Sequence, residues 1–475
     1  MRKVSEKESE EMTANAHDSL ADRGPVFIVG AGPSGLTAAY RLRAQGIPAV
    51  IFEKRDRTGG MIHTHREQGY LMEEGATILP SAYEPVVKLA HEIGSGPDLI
   101  PAGSIIGFAR DNTIHNLRSD HLFLDVLKTP LVSLKSKALM ARFGVDATRA
   151  SKLLNYEDLS RASAFDTMTP REYCSLHLGL SGEVYDYVIN STVRGVLGVR
   201  GDAISNLELF FMLYNILGSK LYAFREGYST YVDRLADGMD IRLGTTVQEI
   251  REGTDGVTVT WTGADGVTHT ESGAGAVITA RGDTIPNLAP GHFDAASEAF
   301  LRGLRYTKCV VMNTGVTRKP KGIVASVINI PEPVDPDLMG FTCEHNKAPG
   351  RAPEGHGLLD ILTMTEFAEQ IIDEDDDTIR TEILRRMEKL IPGVTETVDY
   401  TRIARWNEVI VYSRPGLYKE LGQFQARQAA ITSRIQLAGV FRSSSNMCTA
   451  TVSGERAAAA LVSQLLAPRR RFVAV

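Results

Sequence analysis

The sequence predicts an α/β fold, and three observations lead there. A β-rich apolar run, Val26–Val29, leads directly into glycines at positions 30, 32 and 35. Leu36, Ala39, Tyr40 and Leu42 then keep helical spacing up to Gly46. A second apolar run, residues 47–52, ends on an acid, Glu53. Strand, glycine turn, helix, strand, acid is the order of a Rossmann-like dinucleotide-binding unit.

Each part of that unit has a physical task. Gly30 permits the tight turn, Gly32 lets backbone approach a pyrophosphate, and Gly35 lets helix and strand pack closely. The helix opening at Pro33 and Ser34 offers free amides and the positive end of its dipole to phosphates. Glu53 lies 23 residues after Gly30, where a carboxylate can accept from ribose hydroxyls. An acid there, rather than an arginine, fits an unphosphorylated ribose, so FAD or NAD is expected rather than NADP.

Composition excludes several classes. Of 475 residues, 43% are hydrophobic and 23% charged, which is not the signature of a disordered chain. A net charge of −6 argues against a nucleic-acid partner. Cys174, Cys309, Cys343 and Cys448 are widely spaced without a CxxC pair, so neither a disulfide scaffold nor a zinc ribbon is expected. His63 and His65 form an HxH with no third ligand at metal spacing; they are read as loop or pocket-edge residues, and no metal is expected. The acidic run 373–377 precedes a helical pattern and complements its N-terminal dipole.

Residues 1–24 are charged, lack an apolar core and read as a disordered leader, and 468–475 as a tail. The cytoplasm is the expected address. The most apolar stretch, residues 207–217, is about half the ~20 residues a membrane span needs. It contains Glu208 and Asn215, so a buried helix is expected, with Ser205 and Glu208 spaced as a capping box. Residues 122–145 mix Leu, Val and Met with Lys128, Lys135, Lys137 and Arg142. The favoured reading is a helix with its stripe in the core and its lysines in water; peripheral membrane contact is the alternative.

Further motifs carry a resemblance. Arg57-Thr58-Gly59-Gly60 follows the second strand, and Gly69-Tyr70 and Glu74-Gly75-Ala76-Thr77 come soon after. Residues 202–205, 224–227 (FREG), Thr246-Val247 and 276–280 lie between, and 435–439 (IQLAG) and 453–458 (SGERAA) near the far end. Together these resemble the FAD-dependent amine oxidoreductase superfamily. That group includes monoamine and polyamine oxidases, protoporphyrinogen oxidases and phytoene-type desaturases. The resemblance covers residues 25–465 in pieces. It implies a Rossmann-like FAD-binding domain of the GR2 type interleaved with an α+β substrate-binding domain. The implied FAD pieces are 25–85, 230–305 and 425–467; the substrate pieces are 86–229, mostly helical, and 306–424.

The resemblance also implies site residues. The glycine pair Gly59 and Gly60, with Met61, carries the chain past the FAD pyrophosphate. Gly75, Ala76 and Thr77 lie near the flavin, and Val247 on the adenine side. Gly439 ends a late strand, the segment 453–458 looks like the closing helix with Ser453 as a good N-cap, and Met447, Thr451 and Val452 are expected cofactor contacts just before it. Lys54 and Arg55 complete the expected cofactor contacts. Lys308 resembles a family lysine that reaches flavin N5 through a water and favours reaction with oxygen. Tyr412 is the candidate wall of the substrate cavity, with Trp406 and Asn446 at its edge. No cysteine lies between Glu344 and Met447, where some amine oxidases attach FAD, so noncovalent FAD is expected.

Three departures qualify the match. Met61 replaces a frequent arginine, and Val440 a frequent acid. Asn446 and Met447 stand near positions where relatives place a cage aromatic and a flavin contact, which argues against an ordinary amine substrate. The expected activity is removal of two hydrogens from a small or medium apolar substrate, with hydride passing to flavin N5. A C=N or C=C bond forms, and O2 or another acceptor reoxidises the flavin. The amine oxidase and protoporphyrinogen oxidase branches look nearer than the desaturases. The alternative is a flavin-binding protein without net redox turnover, such as an isomerase or escort. An oligomer is compatible with the sequence.

Overall fold

A computed structural model describes residues 24–466 apart from Ala76 and residues 179–181. The expected tail, and the expected leader except for Gly24, lie outside the described residues. Val26–Val29 is the middle strand of a five-stranded parallel sheet. Its neighbours are Ala49–Phe52 and Gly275–Ile278, and the edges are Asp240–Arg242 and Ile435–Leu437. The central strands are short and almost wholly apolar because both faces are covered. Helices Pro33–Arg43 and Met447–Leu466 pack together on one face. On the other, Phe27, Phe52 and Trp261 pack in a row as tilted rings with successive centroids 5.6 Å apart. Trp261 comes from an antiparallel meander of Thr246–Glu252, Val257–Thr262 and Thr268–Gly273.

The second half is built on a seven-stranded sheet. Its order is Val398–Trp406, Cys309–Val316, Gly357–Thr363, Leu338–Cys343, Val327–Asn329, Ile105–Arg110 and Thr113–Arg118. Pairing is antiparallel except where Val327–Asn329 runs parallel to Ile105–Arg110. Helices Thr365–Ile371 and Asp376–Leu390 cover one face. The acidic run caps the second of these, since Thr378 N donates to Asp375 Oδ1 at 2.8 Å.

Two expectations are corrected. Residues 122–145 do not form one helix. Pro130 cannot donate to a helical ladder, and the stretch divides into Leu122–Lys128 and the start of Leu134–Ser151. Their apolar stripe is only partly in the core: Val126, Met140 and Phe143 pack inward, while Leu124, Leu127 and Leu134 stay exposed. Lys137 turns back to donate to the Leu127 and Thr129 carbonyls. No helix among the described residues is long and apolar enough to cross a membrane.

The apolar stretch does form a buried helix, Asn206–Ile216, capped by Ser205, whose Oγ accepts from Leu207 N at 3.1 Å. Glu208 does not close the capping box. Its carboxylate instead accepts from the Tyr418 hydroxyl and from Ser444 Oγ, tying the helix to residues far along the chain.

Burial pushes the Glu208 carboxyl up to about 7, against the lowering effect of the Ser444 and Ser413 hydroxyls. The unfolded value is about 4.3. The folded chain therefore keeps a proton that the unfolded chain has released. The associated stability is full below about pH 4.3 and lost as pH rises through about 7. The slope in that window is about 1.4 kcal/mol per pH unit for one such group. Glu208→Gln is expected to remove one group's share of the slope in urea titrations at several pH values. An unchanged slope would show that Glu208 does not titrate in this window.

Candidate functional site

The C-terminal ends of the parallel strands carry a backbone cradle. Gly30 N donates to Phe52 O, and Gly59 N to Ala31 O, each at 2.8 Å. Gly30 has φ +102° and Gly59 φ +94°, values that favour glycine. A Cβ on Gly30 would stand 2.6 Å from Thr279 Oγ1, and one on Gly60 3.2 Å from Gly32 Cα. Helix Pro33–Arg43 starts at Gly32 with no side-chain cap and no acid in its first turn. Its N-terminal amides and dipole are thus arranged for phosphate.

Glu53 is 6% exposed. Its Oε2 accepts from Ala31 N at 2.8 Å and its Oε1 from Arg55 N at 2.9 Å. Each oxygen keeps a further lone pair for a ribose hydroxyl. One carboxylate therefore braces the glycine turn and offers acceptors beside it. The uncapped helix, the glycine approach and this acid fit FAD.

A cavity of about 400 Å³ lies between the cradle and the seven-stranded sheet. Of the expected residues, Gly32, Pro33, Ser34, Gly60, Met61, Gly75, Thr77, Lys308, Trp406, Gly439, Asn446 and Met447 line it. Lys308 sits just before strand Cys309–Val316 and is half-buried. Trp406 ends its strand in the cavity wall, held by Nε1 donating to Glu74 O at 2.6 Å. Arg55 lies over the Trp406 ring at 5.1 Å and donates to Gly60 O at 2.7 Å. It supports the wall without lining it.

Other expected residues are placed elsewhere. Gly30, Gly35 and Gly59 shape the turn from behind. Lys54 is exposed. Val247 is buried two residues beyond Thr245, whose N donates to Glu53 O at 2.8 Å. Thr451 meets the Tyr231 hydroxyl at 3.2 Å, and neither it nor Val452 lines the cavity. Tyr412 does not line it either; its phenol meets Thr365, and Val409 and Ile410 supply that wall instead. Ala76 lies outside the described residues.

Three local readings change. Helix Met447–Leu466 begins well before Ser453, and Asn446 Oδ1 caps it by accepting from Thr449 N at 2.8 Å. Ser453 Oγ instead accepts from Gly439 N at 3.0 Å, holding the glycine strand end against the helix. His65 lies on strand Thr64–Glu67 rather than in a loop. His63 Nδ1 meets Glu74 Oε2 at 2.6 Å. Burial opposes ionisation of Glu74, yet His63 and Arg402 hold its carboxyl down to about 2.

Sequence reasoning missed Thr279, Thr307, Phe341, Gly195 and Val196, which also line the cavity. Thr279 had a usable signal, since it closes the strand read at 276–280. Gly195 had none, being a glycine inside helix Asn190–Leu197 in a region without motifs. Cys309 lines the cavity too, but burial pushes its thiol up to about 11, so it stays protonated.

Glu53→Ala is expected to purify folded but largely colourless, read from the visible flavin band relative to protein absorbance. Full yellow occupancy in that variant would remove Glu53 from the ribose role.

Comparison with known proteins agrees with the geometry. A family model described as flavin containing amine oxidoreductase matches residues 33–462. Polyamine oxidase 2 of Arabidopsis thaliana is 26% identical over 259 residues, covering 52% of this chain and 49% of its own. Phytoene desaturase (lycopene-forming) of Pantoea ananas is 41% identical over 102 residues, covering 19% of this chain and 21% of its own. The desaturases, which the sequence reading set further off, are thus among the matches. The chain spans less than half the length of these curated relatives. Cyclohexylamine oxidase from Brevibacterium oxydans IH-35A shares the fold, with a TM-score of 0.72 at 17% identity over 93% of this chain and 99% of that one. The chain belongs to the flavin containing amine oxidoreductase family, and its cofactor is FAD.

Proposed function

We propose that this chain is an FAD-dependent oxidase or dehydrogenase that removes two hydrogens from an apolar substrate, forming a C=N or C=C bond. The observation that carries this reading is one cavity lined from both halves of the fold. Gly32, Gly60 and Gly439 stand on one side, and Lys308, Phe341 and Trp406 on the other. Bound FAD supplies the acceptor for the hydride, and the second hydrogen leaves as a proton. The chain's own residues bind, orient and exclude water. Met61, Val311 and Ile410 give the cavity apolar walls, which hold a substrate in one pose and keep the site dry. Lys308 is the one charged side chain lining the cavity among the described residues. Its ammonium favours negative charge arising nearby, as when dioxygen is reduced.

Lys308→Met is expected to slow reoxidation of the reduced protein by oxygen much more than its reduction by substrate. Stopped-flow traces in which both rates fall equally would remove Lys308 from that role. The reaction class itself is tested by anaerobic addition of candidate substrates, with peroxide detection in air and an artificial acceptor as a parallel arm. If none bleaches the visible flavin band, the non-redox alternative gains.

A further inference from the structure

A second and larger cavity, about 1260 Å³, lies beneath helices Leu122–Lys128 and Leu134–Ser151. Ile78, Gly195, Val196, Val327 and Asn329 line both cavities, so the two abut. Gly195 lies on the boundary, packed against Asn329. A Cβ there would stand 1.9 Å from Asn329 Oδ1, so a larger residue would push into the boundary. The inner wall of the larger cavity is formed by Phe108, Met140, Phe143, Val188, Leu209 and Leu213. Of the ionisable residues in its lining, Asp120, His121 and Arg149 are exposed, and Lys137 is half-buried with its ammonium already donating to the Leu127 and Thr129 carbonyls. Leu134, 81% exposed, joins Leu124 and Leu127 around the mouth.

Two physical points fix the class of occupant. Pockets for drug-sized ligands run about 300–1000 Å³, and this chamber exceeds that range before the flavin-side cavity is added. A small amine would leave most of it unfilled. Charge decides the rest. No buried acid lines either cavity among the described residues, and the flavin side carries only Lys308. A buried ammonium would stand without a counter-ion beside a like charge, an arrangement that desolvation makes costly.

We propose that the joined chamber takes a long, uncharged, hydrocarbon-rich substrate. Its body fills the larger cavity, and its reacting end passes Gly195 toward the cofactor. The apolar mouth admits a molecule that leaves water readily. This rests on the redox reading above for the reacting end, but not for binding.

The test uses the FAD-loaded full chain and 1,6-diphenylhexatriene, an uncharged rod whose fluorescence rises in apolar surroundings. Saturable binding near one probe per chain is expected, with no displacement by benzylamine. Leu213→Trp, which fills the chamber, is expected to weaken binding about tenfold or more, with FAD absorbance and melting temperature unchanged. Val188→Trp gives the same reading if Leu213→Trp loses its FAD. The proposal is overturned by absent saturation, by displacement with benzylamine, or by full binding in a folded filled variant. Probe loss on dimerisation, seen by sedimentation, would also overturn it by assigning the mouth to a second copy. Failure of the redox reading alone would leave probe binding intact.

Discussion

Backbone meets backbone around the cofactor site at points where no side chain fits. A Cβ on Gly35 would lie 2.0 Å from Gly30 O, one on Gly454 2.3 Å from Ser34 O, and one on Gly75 1.9 Å from Met61 O. The first contact seats the helix on its own turn. The second presses the closing helix against that helix, and the third lays the segment after the hairpin across the glycine pair. Three stretches far apart in sequence thus converge because each offers a hydrogen where a methyl group would stand. Glu53 adds the polar restraint by holding Ala31 N. The cradle is shaped by the chain itself, so little ordering remains to oppose cofactor binding.

The cavity also needs the two halves to meet in one orientation, and a buried polar seam supplies it. Glu73, at the end of strand Tyr70–Glu73, accepts from Thr64 Oγ1 at 2.8 Å and from Tyr228 N at 3.1 Å. Arg351 approaches it at 3.5 Å. Asn313, on the neighbouring sheet, donates to Glu73 O at 3.0 Å and to Asp360 Oδ1 at 2.7 Å. Burial pushes Glu73 up to about 7 even with Lys347 and Arg351 nearby. Such groups are costly to bury and are weak evidence of net stability. Their directional bonds nevertheless specify how hairpin and sheet are set, and a slipped arrangement would leave them unpaired.

What was legible in the sequence follows from how local each constraint is. The glycine turn, its flanking strand and helix, and Glu53 are a contiguous unit whose parts imply one another. The buried helix 206–216 was legible from its apolar run, but the partners of Glu208, Tyr418 and Ser444, come from distant segments and leave no spacing signal. Asn446 and Ser453 show the same limit at a helix end. Both are good caps, and only the path of Gly439 decides that Asn446 starts the helix while Ser453 braces the strand. Tyr412 illustrates the converse, since a motif placed it near the cavity and packing turned its phenol to Thr365. Gly195 and Asn329 define a boundary that exists only once helix and sheet are assembled.

The departures from the family pattern now have a common direction. Asn446 lines the cavity where the resemblance places a cage aromatic, and its side-chain oxygen is already engaged in capping the closing helix. Val440 and Met61, standing in for an acid and an arginine, add apolar lining. An alkylammonium with a pKa near that of lysine, ~10.4, must lose its proton before oxidation, which at pH 7 costs about 4–5 kcal/mol. A site for amines can draw in the cation with aromatic faces or a nearby carboxylate, although both favour the charged form over the free amine. This cavity offers Lys308, which raises the cost of bringing in the cation and, once an amine is bound, favours its neutral form. A hydrocarbon substrate meets neither penalty. The same lysine can still assist wherever negative charge develops, so the electrostatics of the site oppose a cationic reactant and favour a neutral one.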